Sequence, residues 1–404
     1  MKILFLTDNF PPEINAPANR TYEHARAWVR SKNVRVTIIT SFPNHPYGKI
    51  YKGYKNKLYS KEKIDGITVI RVWTYMSSNK GVYKRIFDYI SFSIMSFFVG
   101  IFQKSDIIIA TSPQFFTTWS AFLLSKIKRV PWIFELRDLW PESIKAVGAI
   151  NNKIILKILE KIEMVLYKSA SKIVVVTESF KKDLESRKID KDKIHVIYNG
   201  VDLNLFQPIK KPVDLLKKYK LEDKIIIGYI GTHGMAHNLN FIINCLKNIN
   251  QENIHFLFVG DGAMKYDLVK MSSKANLKNI TFVDSVNRES VVKYLALLDI
   301  SLINLRKDNA FKKVIPSKIF EASAMKIPVL MGVEGEAKIL VEKYQSGLCF
   351  EPNNENDFIN KIEILTNNEQ LKIYKNKAIA LSKKFNREIL SKEMLSIIEL
   401  TIQD

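Results

Sequence analysis

The chain sets anion-binding and proton-bearing groups at several points where an apolar run gives way to a helix. Pro316-Ser317-Lys318-Ile319-Phe320-Glu321 puts a lysine and a glutamate three residues apart, on one face of the helix the stretch predicts. A lysine at a helix start suits a phosphate. A carboxylate one turn later accepts two hydrogen bonds from paired ribose hydroxyls. A solvated ion pair is the plainer reading of those two residues taken alone. Upstream, Gly231-Thr232-His233-Gly234 follows an apolar run, and its glycines bracket a tight turn. A phosphate fits on such a turn, with Thr232 and His233 adding side-chain donors. His233 and His237 are four apart, but no acidic or thiol ligand is spaced to complete a zinc site. Near the start, the small residues from Asn15 and Ala16 to Ala18 let backbone N–H groups approach an anion, although no G-x-G is present. Glu135-Leu136-Arg137-Asp138-Leu139-Trp140-Pro141-Glu142-Ser143 gathers charge after a strand, which is costly unless it faces a cleft. Arg137 and Asp138 are therefore candidates for function. Asp190-Lys191-Asp192 has the form of a metal-holding pair, but among Lys188, Lys191 and Lys193 it reads as a solvated loop.

Positioning these loops requires strands that end beside them. Apolar runs at 34–40, 67–73, 106–111, 131–136 and 172–177 alternate with helix-length segments. The rhythm restarts at 225–231, 254–260, 279–284, 300–305 and 329–333. Continuous apolar runs of that length belong to parallel sheets covered on both faces. The expected fold is α/β, with two doubly wound Rossmann-like domains facing a cleft. Tyr198-Asn199-Gly200-Val201-Asp202, then Pro208 and Pro212, marks the linker. The expected domains are 1–203, 204–384 and a C-terminal helix at 385–404. That helix, with Phe385, Leu390, Met394 and Ile397 near helical spacing, either crosses back to the first domain or caps the second.

The 404 residues carry 62 Lys and Arg against 41 Asp and Glu, a net charge of +21. Residues 1–200 hold 33 basic and 17 acidic side chains, a net of +16, so the first half carries most of it. Such a balance seeks a polyanion, either nucleic acid or an anionic membrane. Nucleic-acid binding needs exposed aromatics among the charges, whereas Phe5 and Trp132 lie in strand runs. The apolar stretch 90–102, flanked by Lys80, Lys84, Arg85 and Lys104, is too short at roughly 20 Å to span a bilayer. It reads as a core helix, or as one whose outer face meets a membrane surface. The chain opens on a buried-strand pattern with no signal peptide, and two cysteines build no disulfide framework. A cytoplasmic protein is expected, peripheral to the inner face of the cell membrane.

Taken in order, these loops resemble family 4 retaining glycosyltransferases of the GT-B fold. The resemblance rests on F-P-P-E-I-N-A-P-A-N-R near the start, R-D-L-W-P-E-S at 137–143 and V-T-E-S-F-K-K-D-L at 176–184. I-Y-N-G-V-D at 197–202, F-V-G-D-G at 258–262 and P-S-K-I-F-E at 316–321 complete it. More narrowly, the chain is similar to the L-fucosamine (N-acetyl-L-fucosamine) transferases of bacterial O-antigen and capsule synthesis. The resemblance implies a UDP-sugar donor held by the second domain and a lipid-linked saccharide acceptor held by the first, without a metal or other cofactor. Glu321 would bind the donor ribose, Lys318 the diphosphate, and Gly231 and Thr232 would lie beneath it. The base would meet 284–288, including Val286 and Arg288, and Asn15 and Ala16 replace a glycine pair near the diphosphate. Three positions depart from the family pattern. Lys313 stands where the first glutamate of its E-x7-E motif belongs. Thr232, His233 and Asn238 replace an Arg and Lys, and Glu135 to Asp138 replace a histidine. Lys318, with Arg306, Lys307 or Lys313, would supply the missing charge, and Arg137 and Asp138 would face the acceptor and sugar. A UDP-sugar epimerase on the same fold is the rival enzyme, and a basic nucleic-acid-binding protein the rival outside enzymes.

Overall fold

The apolar runs become strands of two parallel sheets in the computed structural model, which describes all residues except 46, 78–81, 113–114, 140–141, 143–151, 250 and 404. Met1–Asn199 together with Arg387–Asp404 make one compact unit, and Gly200–Asn386 the other. Trp140, Pro141 and Ser143 of the 137–143 stretch, and the flanking Lys80, lie outside the described residues.

The first unit holds β1 (Lys2–Leu6), β2 (Arg35–Ser41), β3 (Tyr59–Ile64), β4 (Ile67–Val72), β5 (Ile107–Thr111), β6 (Trp132–Leu136), β7 (Lys172–Val175) and β8 (Ile194–Val196). They form one sheet in the order β3-β4-β2-β1-β5-β6-β7-β8. Only β3 runs antiparallel, along β4. Its sequence, Tyr-Ser-Lys-Glu-Lys-Ile, is exposed or half-buried throughout, so it makes no apolar run; charge on an edge strand also discourages pairing with other chains. The buried strands beside it show the opposite composition. β1 and β5 are fully apolar except for their ends because helices cover both faces.

The second unit repeats the plan with β9 (Ile225–Ile230), β10 (Ile254–Val259), β11 (Ile280–Val283), β12 (Ile300–Asn304), β13 (Val329–Gly332) and β14 (Gly347–Cys349). The order is β11-β10-β9-β12-β13-β14, parallel throughout. Strand order reverses between β1 and β5 in one unit and between β9 and β12 in the other. Ligands of doubly wound sheets bind at such switch points, beyond the carboxyl ends of the strands.

Two helices complete the reading of the sequence. Arg387–Gln403 packs on the first unit, placing Leu390, Met394 and Ile398 in one core with Phe5, Trp28 and Ile38. Burying each such side chain stabilises by about 1.5–3 kcal/mol, and the Trp28 indole donates to the Ser391 carbonyl at 2.8 Å. The apolar stretch 90–102 falls in a longer helix of 20 residues, Val82–Ile101. Phe92 and Ser96 on its inner face are buried, whereas Ile94 and Phe98 stand half exposed. It is thus a covering helix with an apolar outer stripe. Among the described residues no helix is long and apolar enough to cross a membrane.

Candidate functional site

At the switch point of the second unit, β9 ends at Ile230 and the chain turns through Gly231 at a φ of 141°. A side chain there would strain the backbone, and a Cβ would lie 2.7 Å from both Cε and Nζ of Lys318. Lys318 opens the short helix Lys318–Ala324 and reaches back to the end of β9. Its ammonium stands 3.6 Å from the centroid of the Tyr229 ring, on β9. The Tyr229 hydroxyl donates to the Thr232 carbonyl at 2.7 Å, so one ring supports both the turn and the lysine. The turn is fixed from both neighbouring strands. After β10, Asp261 accepts from the His233 N–H at 2.8 Å, and Gly260 comes so near that a Cβ would lie 2.0 Å from the Gly231 carbonyl. From β12, the Asn304 amide donates to the His237 carbonyl at 3.0 Å, and Arg306 N–H to the Ala236 carbonyl at 2.9 Å.

The lysine is the unsettled group. Its Nζ is buried and makes no hydrogen bond. Burial lowers the ammonium from 10.5 to about 7, with Glu321 one turn on opposing the shift. A cation over an aromatic face gains about 0.5–2 kcal/mol, but the ring replaces none of its three N–H bonds. Burial also lowers His233 to about 4 and His237 to about 3, helped by the Lys318 charge, so both rings are neutral. The arrangement offers one dry cation beneath a backbone turn, a place for an anion's oxygen.

Thr232 is exposed beside that turn. His233, expected to add a side-chain donor there, is instead walled in: its ring lies 5.7 Å from Tyr229 and 6.4 Å from Phe282, with neither nitrogen hydrogen-bonded. Backbone pairing with Asp261 turns the side chain into the core. Val286 is half-buried after β11, and Arg288 begins the helix Arg288–Leu297, capped by Asn287, which accepts from Ser290 N–H at 2.9 Å. Asp284 pairs with Lys265, which also donates to the Gly260 carbonyl at 2.9 Å. Glu321 is half-buried in the Lys318 helix.

In the first unit, Asn15 caps the helix Ala16–Trp28, accepting from Ala18 N–H at 2.9 Å while its amide donates to Asn9 at 2.9 Å. Ala16 begins that helix. Arg137 and Asp138 follow β6, their N–H groups donating to the Ser112 hydroxyl at 2.8 and 3.3 Å. Beneath them Arg20 and Glu135 form an ion pair at 2.8 Å, each side chain only 1% exposed. Burial pushes the Glu135 carboxyl up, but Arg20 and Arg137 outweigh it and hold it below the usual carboxylate range. Burial lowers Arg137 to about 9. Asp190 and Asp192 sit in a 3-10 turn, Asp190 accepting from Asp192 N–H at 3.0 Å, by a cavity of about 440 Å³ at the amino ends of β6 and β7. Among the described residues no group of three or more His, Cys, Asp or Glu is placed to hold a metal.

Tyr229 and Asn304 escaped the motif reading, and Gly260 entered it only as part of F-V-G-D-G at 258–262, with no role of its own. A polar Asn closing the buried run Ile-Ser-Leu-Ile-Asn was the legible signal for one of them. Tyr229 sat inside an apolar run and read as core.

Comparison with known proteins adds the family context. Residues 18–205 match the family model described as Glycosyltransferase Family 4, and residues 214–382 the one described as Glycosyl transferases group 1. Over 199 residues the chain is 24% identical to the putative teichuronic acid biosynthesis glycosyltransferase TuaH of Bacillus subtilis. That match spans 49% of each chain, about half the relative's length. Sucrose-phosphate synthase of Thermosynechococcus elongatus superposes with a TM-score of 0.79 at 15% identity, covering 99% of this chain and 98% of that one. Anabaena Alr3699/HepE, solved in complex with UDP and glucose, gives 0.74 at 16% identity, covering 99% of both.

Proposed function

The chain is a GT-B protein, like family 4 glycosyltransferases in its first half and group 1 glycosyl transferases in its second, and on that premise we propose that it transfers a sugar from a UDP-sugar to a saccharide acceptor. The observation that carries this reading is the Lys318 ammonium, buried without a hydrogen bond under the Gly231 turn at the switch point. Breaking a sugar–diphosphate bond builds charge on the leaving oxygen. A preorganised donor in a dry site typically removes about 3 kcal/mol of that barrier. In the proposed arrangement Lys318 and the turn's backbone hold the diphosphate, Glu321 the ribose, and Val286 and Arg288 the base. The cations of the chain suffice for the leaving group, with no metal or other cofactor. Retention follows from same-face attack, the departing phosphate taking the acceptor proton, so no protein nucleophile is assigned.

The finer reading follows the motif resemblance: N-acetyl-L-fucosamine as the sugar, and a polyprenyl-diphosphate-linked saccharide of O-antigen or capsule synthesis as the acceptor. HepE, which holds UDP and glucose on the same fold, favours a uridine nucleotide. An anionic membrane surface on the cytoplasmic side is the proposed place of work. Phe87, Ile94, Phe98 and Phe102 stand exposed along one stripe beside Lys84 and Lys104, the arrangement a helix lying in a headgroup layer needs.

One incubation tests the assignment: a panel of UDP-sugars with a polyprenyl-diphosphate-linked sugar, followed by mass and linkage analysis. A new glycosidic linkage with retained configuration is expected. An isomerised free nucleotide sugar would instead identify an epimerase, and inversion would remove the same-face mechanism.

A further inference from the structure

Tyr229 is the penultimate residue of β9 and is fully buried. Strand alternation puts it on the face of Ile227, in the core of the second unit. Its aromatic neighbours suit that place: Phe258 stacks at 6.1 Å, and the His233 and His237 rings stand at 5.7 and 5.8 Å. Two polar contacts go beyond core packing. The hydroxyl donates to the Thr232 carbonyl at 2.7 Å, and the Lys318 ammonium stands 3.6 Å from the ring centroid.

The groups that face this ammonium come from three places. Its own helix contributes Glu321, whose charge favours the cation. The turn after β9 contributes the imidazoles of His233 and His237, both held neutral by burial and by the Lys318 charge itself. β9 contributes Tyr229, whose phenol burial keeps protonated, so it presents a ring face and not a phenolate. Burial opposes the ammonium, and Nζ makes no hydrogen bond. A ring face within about 6 Å attracts a cation through its quadrupole, and more strongly where water is excluded. The turn admits the lysine because residue 231 has no side chain: a Cβ there would lie 2.7 Å from Nζ. Ring and glycine together fix where the charge sits.

We propose that Tyr229 is a positioning residue for the sugar-transfer step: its ring face holds the Lys318 ammonium under the Gly231 turn, both before and after a diphosphate binds. The inference rests on the glycosyltransferase reading for its ligand and adds to it the residue that keeps the leaving-group lysine charged and in place. Tyr229 acts through Lys318 and contacts no substrate atom. A ring contact kept in both states changes how much of the lysine is charged, and not how tightly the charged form binds.

UDP titrated at pH 5.5, 6.5 and 7.5 into the full-length parent, Tyr229→Phe and Tyr229→Leu reads this role. Protonation of the ligand is common to all three and cancels in their ratios. Removing the ring face is expected to lower the midpoint of the lysine by about one pH unit. Relative to the parent, Tyr229→Leu then loses about eightfold in affinity at pH 7.5 and less than about twofold at pH 5.5. Tyr229→Phe, which keeps the face and loses the tie to Thr232, is expected to follow the parent's pH profile. Should Tyr229→Leu not fold, a pentafluorinated phenylalanine at position 229 keeps the shape while reversing the quadrupole, with the same shift expected. A loss equal at every pH marks a purely structural side chain and overturns the proposal, as does parent-like binding by Tyr229→Leu. Tighter binding than the parent at pH 5.5 also overturns it, since the ring would then compete with the diphosphate for the cation. The parent separates the two failures: if it binds UDP, only this inference falls; if it does not, the glycosyltransferase reading falls with it.

Discussion

Titrating UDP into the chain between pH 6.5 and 8.5 reads the charge on Lys318. Burial holds that ammonium at about 7, and only the cation pairs with a diphosphate. Affinity is therefore highest below pH 7 and falls as pH rises through it. Weighting by the protonated fraction gives about a 25-fold loss of affinity across the window. The terminal phosphate of UDP sheds its last proton near pH 6, which works in the opposite direction and lies below the range. Lys318→Met is expected to flatten the profile and to weaken UDP about 100-fold, the equivalent of one well-placed donor. The same lysine leaves a second signature in the ligand-free chain. Unfolded, it titrates near 10.5, so between pH 7 and 10.5 the unfolded state binds more protons and stability rises with pH. The penalty is full below pH 7 and gone above 10.5, changing by about 2 kcal/mol between pH 7 and 9. Lys318→Met removes that slope and is expected to melt above the parent at pH 7 while losing the nucleotide. Calorimetric titration and thermal melts at the two pH values measure both effects. A parent affinity flat with pH, or a folded Lys318→Met with near-parent affinity, refutes the assignment of this lysine to the diphosphate.

Turnover is expected to survive excess EDTA, because Lys318 and the Gly231 turn supply the charge; complete loss restored by Mg²⁺ would contradict that. Gly260→Ala drives a Cβ to 2.0 Å from the Gly231 carbonyl at a φ of 141°, and denaturant melts should show a loss of about 2–4 kcal/mol together with weaker UDP binding. Arg20→Ala leaves Glu135 buried and unpaired and frees the 197–198 carbonyls, so a loss of about 3–5 kcal/mol is expected, and a near-parent melt would count against the pair's role. Phe98→Ser with Phe102→Ser should lower co-sedimentation with phosphatidylglycerol vesicles without changing UDP affinity; unchanged sedimentation would remove that stripe from membrane contact.

The sheets were legible because each buried strand is a run of Ile, Val, Leu and Phe bounded by turn residues, and parallel pairing needs nothing else. β3 was not, since an edge strand of lysine and glutamate carries no apolar signal. The 90–102 stretch was read short for a related reason: Lys84, Arg85 and Asp88 break the apolar run before residue 90, and only the folded chain shows Val82–Ile101 to be one continuous helix. Within the candidate site, Gly231 and Lys318 were legible as types, a turn glycine and a helix-start lysine, but their meeting was not. They lie 87 positions apart, and their contact depends on strand order placing β12 beside β9. His233 shows the converse. Its neighbours in sequence, Thr232 and Gly234, suggest an exposed donor, whereas the pairing of its N–H with Asp261 commits the ring to the core.

That commitment bears on chemistry. A protonated His233 would compete with Lys318 for the anion and repel its charge. Burial, helped by the Lys265 and Lys318 charges, keeps the imidazole uncharged, so among the described residues Lys318 is the titrating cation under the Gly231 turn. With Thr232, His233 and Asn238 where the resemblance would place an Arg and a Lys, the proposed response to a diphosphate is concentrated in one residue. This is why substitution of Lys318 is expected to act on pH profile, stability and nucleotide affinity together, and why no neighbouring residue of that turn is expected to reproduce all three.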